Sequence, residues 1–388
     1  MILRIIVPLL LLILLPDVYL YVHYVRKRRG MRPLARLLWW LPAALMLVFT
    51  AVIVSSKDFA PSDLSLLNCY LFFVGILVVP KALFALCSAV GLLACRMCRS
   101  RINFGNIVGL IIALLVVFIV VYGSTVGFKK LDVRYVDYYS EDLPETFDGY
   151  RILHFSDAHV GTYTGDNVRL LEMAVDKINE IGADAVAFTG DLQNMHPREI
   201  YPVADILRRI KAKDGVYSVL GNHDYARYVD AGEEEKMANE CATIECERKM
   251  GWHLLLNEDS VIRRGNDSIV IAGMENDGRP PFPQKGDVAK TLAHTGDDAF
   301  VVMLQHDPTS WRRNILPHSK AQLTLSGHTH AMQFSLFGWS PSSWVYDEWG
   351  GMYYSGKRAL NVSVGLGGFI PFRFGATGEV VVITLRKN

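Results

Sequence analysis

Seven side chains able to hold a metal ion fall into five short clusters. They are Asp157 with His159, Asp191, Asn222, His306, and His328 with His330. Each cluster closes an apolar run that reads as a buried strand. Ligands at the ends of successive strands of one sheet can converge on a point, and seven donors are enough for two ions. Asp157 and His159 are two residues apart, so strand alternation would set them on one side. Asp191 has two carboxylate oxygens and can bridge a pair of cations. Asn222 offers an amide oxygen, and His306, His328 and His330 offer neutral nitrogens. Nitrogen and oxygen donors without thiolate suit Mn, Fe or Zn better than Mg or Ca. Two such ions, roughly 3.5–4 Å apart, lower the pKa of a shared water and clamp both oxygens of an in-line phosphoryl displacement. Taken singly, each cluster has a plainer reading: Asp157 caps a turn, His306 is a hydrogen-bonded core histidine, Asn222-His223 is a loop. Five together, each behind its own apolar run, make a metal site the stronger reading. Gly190, Gly221 and Gly327 beside the ligands permit the sharp turns this needs.

The elements that must position these residues alternate in type. Arg151 to Ser156 reads as a strand delivering Asp157 and His159. Apolar residues at Val168, Leu171, Val175 and Ile178 have helical spacing, closed by Gly182. Ala185 to Thr189 delivers Asp191, a helix over Glu199 to Lys211 follows, and Val216 to Leu220 leads to Gly221-Asn222-His223-Asp224. This βαβαβ order predicts parallel pairing with right-handed crossovers. A charged helix from Glu233 to Met250 precedes short strand signals at Trp252 to Leu256 and Ser268 to Ala272. Phe300 to Leu304 presents His306 and Gln322 to Leu325 presents His328 and His330. Leu360 to Val364 and Glu379 to Leu385 are strand-like. His154 reads as a strand residue, and His196, His253, His294 and His318 as surface or loop.

The first 128 residues are different. Four stretches, about Ile2 to Val25, Leu34 to Val54, Leu64 to Ala94 and Phe104 to Phe128, are apolar enough to span a bilayer, for which about 20 residues suffice. The first has no small-residue cleavage site and ends in Arg26-Lys27-Arg28-Arg29, so it reads as a span, not a secretory signal. Basic residues follow span one (Arg26 to Arg29, Arg32, Arg36) and span three (Arg96, Arg99, Arg101). Between spans two and three stand only Lys57, Asp58 and Asp63. By the positive-inside rule the basic loops are cytoplasmic, and four spans put the rest of the chain on the outer face. Lys129 and Lys130 pull the other way. Apart from Arg4 and Arg36 close to the span starts, only Asp17, His23 and Lys81 are acidic or basic within the spans, so an anchor is expected over a transporter.

Charge follows the same division. Up to Phe128 there are 12 Lys and Arg against three acids, a balance of +9; beyond it 28 basic residues face 36 acidic ones, a balance of −8. An acidic globular part argues against a partner with a long phosphate backbone, so no nucleic acid is expected. Of six cysteines, Cys95 and Cys98 form a lone CxxC read as membrane-edge thiols, and Cys241 and Cys246 are poorly placed to bridge.

The ordered set Asp-x-His, Gly-Asp, Gly-Asn-His-Asp, His and Gly-His-Thr-His, at Asp157, Gly190, Gly221, His306 and Gly327, resembles the calcineurin-like metallophosphoesterase superfamily. The surroundings resemble its membrane-anchored bacterial branch. The likeness runs from about Arg151 to the C-terminus. It implies an α/β fold, a four-layer α/β/β/α sandwich of two mixed sheets, here preceded by an all-α membrane segment of four helices. It also implies that one ion takes Asp157, His159, Asp191 and His330, and the other Asp191, Asn222, His306 and His328. By the same likeness His223 meets the phosphate and protonates the leaving oxygen. The sequence departs from the pattern twice. Many relatives have a second Asp orienting the catalytic histidine where this chain has Asn194. An amide can hold the ring but does not favour the imidazolium as a carboxylate does, and Asp224 is the candidate to take over. Ala331-Met332-Gln333 stand where glycines are frequent.

The domains expected are a four-span anchor (1–128), a linker (129–149) and a catalytic domain (150–388). The function expected is hydrolysis of phosphomono- or phosphodiesters by a hydroxide activated by two divalent ions. The substrate would be a phosphate ester, lipid-linked or from the cell envelope; the sequence points to no protein partner. The site expected in a bacterium is the inner membrane, with the catalytic domain outside. Two alternatives stand beside this: a nucleotide-lipid pyrophosphatase of the UDP-diacylglucosamine type, which needs a cytoplasmic face, and a non-catalytic metal-binding scaffold. The aromatic stretch Phe334 to Tyr354 reads either as a flap touching lipid or a hydrophobic substrate group, or as a loop with its own small core. Arg279, Arg312, Arg313 and Arg373 are candidates to contact a substrate phosphate.

Overall fold

Long apolar runs in the N-terminal part fold as helices because only a helix satisfies its own backbone in lipid. Among the described residues, four stretches are long and apolar enough to cross a membrane: Ile6–Val25, Pro33–Ser55, Ser65–Cys98 and Phe104–Lys129. The computed structural model describes residues 2–55 and 64–388, with side chains from Ile6 onward, and divides into two units, Met1–Val126 and Gly127–Asn388. Lys57, Asp58 and Asp63, part of the charge reading of topology, lie outside the described residues. Within the first unit, Asp17 is buried and its carboxylate meets Lys81 Nζ at 2.6 Å. Pairing offsets the cost of holding two charges within apolar helices. The third and fourth spans touch at Gly91 and Gly105, where a Cβ on Gly91 would lie 2.8 Å from the Gly105 Cα. Small residues at such crossings let helix backbones approach closely.

The second unit contains twelve strands in two six-stranded sheets. The first sheet uses β1 (Leu131–Ser140), β2 (Arg151–Phe155), β3 (Ala185–Phe188), β4 (Val216–Ser218), β5 (His253–Leu254) and β12 (Gly378–Lys387), in the order β1-β12-β2-β3-β4-β5. The second uses β6 (Glu258–Arg264), β7 (Asp267–Gly273), β8 (Phe300–Leu304), β9 (Leu323–Ser326), β10 (Gly351–Ser355) and β11 (Arg358–Val362), in the order β10-β11-β9-β8-β7-β6. The two sheets face each other across a buried core that includes Ile152, Ala187, Val219, Ile271, Val302 and Leu325. The outer face of the first sheet is covered by the helix Val168–Ile181, whose Leu171, Val175 and Ile178 are buried. Trp311 and Ile315 cover the outer face of the second. This is the α/β/β/α sandwich, preceded by the helical membrane segment.

Strands β2, β3 and β4 pair in parallel, as do β7, β8 and β9. Parallel strands that share a direction bring their carboxyl ends to one edge, where ligands gather in such sheets.

Two expectations need correction. Residues 129–149 are not a linker: β1 occupies Leu131–Ser140 and pairs in parallel with β12 along its full length. Its acids and tyrosines look like spacer, but Leu131, Val133, Val136 and Tyr138 turn inward while Asp132, Arg134, Asp137 and Tyr139 are exposed, as on a one-sided edge strand. The helix expected over Glu199 to Lys211 is broken into short turns around Ala204–Leu207, because Pro197 and Pro202 interrupt the hydrogen-bond ladder. His196, read as surface or loop, does lie in a loop, but a buried one.

Candidate metal centre

The five clusters meet at the carboxyl ends of β2, β3, β4, β8 and β9. They do so by sharp turns, not by strand alternation. β2 ends at Phe155, and Asp157 and His159 follow at φ 53° and 45°; Asp191, His328 and His330 also have positive φ, at 59°, 73° and 50°. Left-handed backbone costs a residue with a Cβ roughly 1–2 kcal/mol. Five such residues in one place mark a site whose geometry the surrounding fold imposes. Gly190 shows why glycine is needed here: at φ 92°, a Cβ there would sit 2.3 Å from Gly221 N.

Main-chain hydrogen bonds lock the turns together. Asp157 N donates to Gly190 O at 2.8 Å, His159 N to Asp191 O at 3.1 Å and Gly327 N to His306 O at 2.9 Å. The carboxylates are aimed the same way. His223 N donates to Asp191 Oδ1 at 2.8 Å, leaving Oδ2 for the centre, and His328 N donates to Asp157 Oδ2 at 3.0 Å.

Two donor groups result, sharing Asp191. One is Asp157, His159, Asp191 and His330; the other is Asp191, His306 and His328. His330 Nε2 lies 3.1 Å from Asp157 Oδ1 and 3.1 Å from His159 Nε2. His306 Nε2 lies 3.1 Å from Asp191 Oδ2, and Asn222 Oδ1 joins it at 3.1 Å from His306 Nε2 and 2.7 Å from His328 Nδ1. A cation fits this donor set. His306 Nδ1 donates to Thr189 O at 2.7 Å, so Nε2 faces two oxygens, Asp191 Oδ2 and Asn222 Oδ1, that are acceptors, and in the neutral ring it would face them with a lone pair of its own. Acceptors converging without a donor call for positive charge between them.

The electrostatics agree. Burial, with His223 nearby, pushes His159 down to about 3, and burial also lowers His328 and His330, so these imidazoles are neutral, as ligands must be. Burial works against the charged form of His306 as well, yet Asp191 and Asp157 raise it to about 10. Burial raises Asp157 to about 6. Asp191 sits well below the carboxylate range despite its burial, because His306 and His223 stabilise its charge. The carboxylates thus draw a proton onto His306, the place an ion's charge would fill.

His223 stands beside this cluster, its ring 4.9 Å from that of His159. Its Nδ1 donates to the main-chain carbonyl of Asn194. The contact uses the backbone, so the Asn194 side chain is not what holds the ring; that side chain donates to Thr162 Oγ1 at 3.2 Å. Nor does Asp224 partner the imidazole. Its buried carboxylate accepts from the backbone N–H groups of Asp191, Leu192, Gln193 and Gly221, at 2.8–3.3 Å, and so ties the two ligand loops together. The sequence offered no sign of Glu199, which accepts from the N–H groups of Asn194, Met195 and His196 at 2.6, 2.9 and 3.0 Å and fixes the loop that carries the Asn194 carbonyl.

A family model described as "Calcineurin-like phosphoesterase" matches residues 150–332, and one described as "Probable Calcineurin-like phosphoesterase, transmembrane domain" matches residues 3–128. A Bacillus subtilis (strain 168) protein named "Uncharacterized metallophosphoesterase YkuE" is 31% identical over 63% of this chain and 82% of its own length. The chain belongs to the calcineurin-like phosphoesterase family. This phosphoesterase is also similar along 97% of its length to a Danio rerio protein, "Transmembrane protein with metallophosphoesterase domain", at 27% identity over 87% of that protein. A Chlamydia muridarum (strain MoPn / Nigg) protein named "UDP-2,3-diacylglucosamine pyrophosphatase LpxG" is 24% identical over 62% of this chain and 86% of its own length.

Around the phosphoesterase site the rim is aromatic. Phe282 meets the His328 ring edge-on at 4.7 Å, Phe369 lies 6.0 Å from His223, and Tyr228 lies 4.7 Å from it. The stretch Phe334 to Tyr354 has two sides. Trp349 packs inward on Ala331, Val364 and Ala376, the small core, while Phe337 and Trp344 are 100% and 78% exposed. Trp344 is two residues from Tyr346, whose hydroxyl lies 3.0 Å from His328 Nε2. Ala331, Met332 and Gln333 all adopt positive φ, between 48° and 55°, which is why glycine suits these positions. Of the four arginines, Arg373 is fully buried and donates to the carbonyls of Val364, Gly365, Gly367 and Ala376. It braces the loop behind Asp157 and His330 and is unavailable to a substrate. Arg312 pairs with Glu348 and Arg313 with Asp277, while Arg279 is exposed.

Proposed function

We propose that this membrane-anchored enzyme hydrolyses phosphomono- or phosphodiesters with two divalent ions, Mn, Fe or Zn. The observation that carries the reading is the pair of donor groups sharing one carboxylate, Asp191. One ion would take Asp157, His159, Asp191 and His330, the other Asp191, Asn222, His306 and His328. Bound there, two cations supply the Lewis acidity that makes water nucleophilic near neutral pH and neutralise phosphoryl oxygens.

The protein's own groups do the rest. His223 N holds Asp191 so that one oxygen faces the cluster. The His223 Nδ1 proton is committed to the Asn194 carbonyl, so Nε2 is the nitrogen from which a proton passes to the leaving oxygen. Asn194 and Asp224 act as positioning residues, the first through its carbonyl and the second through the loop amides. Met1–Val126 serves as anchor and Gly127–Asn388 as the catalytic unit. The positive-inside rule puts that unit on the outer face, in a bacterium the periplasmic side of the inner membrane. The exposed Phe337 and Trp344 at the rim support a substrate whose phosphate ester is lipid-linked.

A pyrophosphatase acting on a nucleotide-linked lipid is the second reading, favoured by the likeness to the Chlamydia muridarum protein. The test is hydrolysis of aryl phosphate mono- and diesters by the full chain in detergent with Mn. Turnover that a chelator abolishes and Mn restores is expected. Turnover only of a diphosphate diester would favour the second reading, and turnover indifferent to chelation would sink the metal account.

A further inference from the structure

Two phenols sit on the ligands of one ion and have no part in the reading so far. Asn222 Nδ2 donates to the Tyr228 hydroxyl at 2.8 Å, and the Tyr346 hydroxyl lies 3.0 Å from His328 Nε2. The two tyrosines come from different parts of the fold, one after β4 and the other from the aromatic stretch after β9. The side chains they contact are themselves in contact, with Asn222 Oδ1 2.7 Å from His328 Nδ1. Both reach the surface of an otherwise buried cluster: Tyr228 is 38% exposed and Tyr346 half-buried, while Asn222 and His306 are buried.

Hydrogen-bond accounting decides what these hydroxyls can do. A phenol has one proton to give and an oxygen that accepts. The Asn222 amide uses Nδ2 as donor to Tyr228, so that oxygen accepts and its proton is uncommitted. If His328 Nδ1, the nitrogen facing Asn222 Oδ1, gives its lone pair to an ion, its proton must be on Nε2. Nε2–H then donates to the Tyr346 oxygen, and that proton is uncommitted as well. The nearest carboxylate does not take it, because the buried Asp307 Oδ2, 3.6 Å from His328 Nε2, has no hydrogen-bond partner. Two O–H donors therefore stand on the exposed side of the site, Tyr228 beside the His223 ring and Tyr346 on His328, and among the described residues neither has a recorded acceptor.

We propose that Tyr228 and Tyr346 bind the substrate's phosphoryl oxygens and set the enzyme's affinity for phosphate. The inference rests on the two-metal phosphoesterase reading and adds substrate contacts to it. A hydrogen bond to a charged oxygen is worth roughly tenfold or more in binding.

The test uses the full chain in detergent, loaded with Mn, as the parent, Tyr228→Phe, Tyr346→Phe and the double variant. Inorganic phosphate binding is measured by titration calorimetry, with Mn content on the same samples and kcat and KM on an aryl phosphate. Phosphate is expected to bind about tenfold more weakly in each single variant and about a hundredfold more weakly in the double, with Mn content unchanged and KM rising in step. Unchanged phosphate affinity in the variants would overturn the assignment. So would weaker binding that merely tracks lost Mn, since the phenols would then be holding the ligands and not the substrate. If the parent binds phosphate through these residues yet hydrolyses no ester, the phosphoesterase reading fails while the assignment of the tyrosines stands.

Discussion

Asp191→Ala is expected to abolish hydrolysis and to strip the protein of metal. Asp191 belongs to both donor groups, with Oδ2 at 3.1 Å from His306 Nε2 and 3.7 Å from His159 Nε2. Among the described residues it alone is a member of both groups. Removing it also removes the charge that holds His306 protonated in the metal-free cluster, so two imidazoles and Asn222 would face one another without a compensating group. Loss of activity should exceed about 10⁴-fold, the range seen when a single group essential to a catalytic unit is deleted. Metal content by elemental analysis should fall from two ions per chain toward none. A variant that keeps both ions would mean the clusters are held independently, and the shared carboxylate would lose its role.

His223→Ala is expected to separate chemistry from metal binding. The ring lies beside the cluster, with its Nδ1 on the Asn194 carbonyl and its half-exposed edge toward the site mouth. It belongs to neither donor group. General acid catalysis contributes about 10²–10⁴-fold, so kcat should fall in that range while metal content stays at the parent's level. The loss should shrink for esters with good leaving groups, such as nitrophenolate, which need little protonation, and grow for alkyl esters. An equal loss on both classes would show that the ring only positions the substrate. Because the backbone carbonyl of residue 194 holds the ring, Asn194→Ala should be milder than His223→Ala in the same assays.

The cluster of candidate donors was legible in the sequence because chemistry restricts its members. Few residue types bind metal, and the glycines beside them mark sharp turns. The means by which they converge were less visible. Alternation along a strand suggested itself for Asp157 and His159, but both lie beyond β2 in left-handed backbone, and nothing local to Asp or His announces that conformation. Long-range contacts stayed hidden for the same reason. Glu199 binds three amides of the neighbouring loop but in the sequence is one more acidic residue, and Asp224, singled out as a partner for His223, instead binds four amides across two loops. Asn194 invited an argument about its side chain when its carbonyl is what the ring meets. β1 was missed because an edge strand exposes one face, and Asp132, Arg134, Asp137 and Tyr139 on that face look like spacer. Arg373 had the composition of a surface cation and turned out to be a buried brace.

The most direct test of the two-ion account is a titration of the metal-free full chain with Mn, following bound ion and aryl phosphate hydrolysis in the same samples. The shared Asp191 predicts that hydrolysis stays near background through the first equivalent and rises with the second, reaching its plateau at two ions per chain. Full activity at one equivalent, or a plateau of bound metal at one, would contradict it.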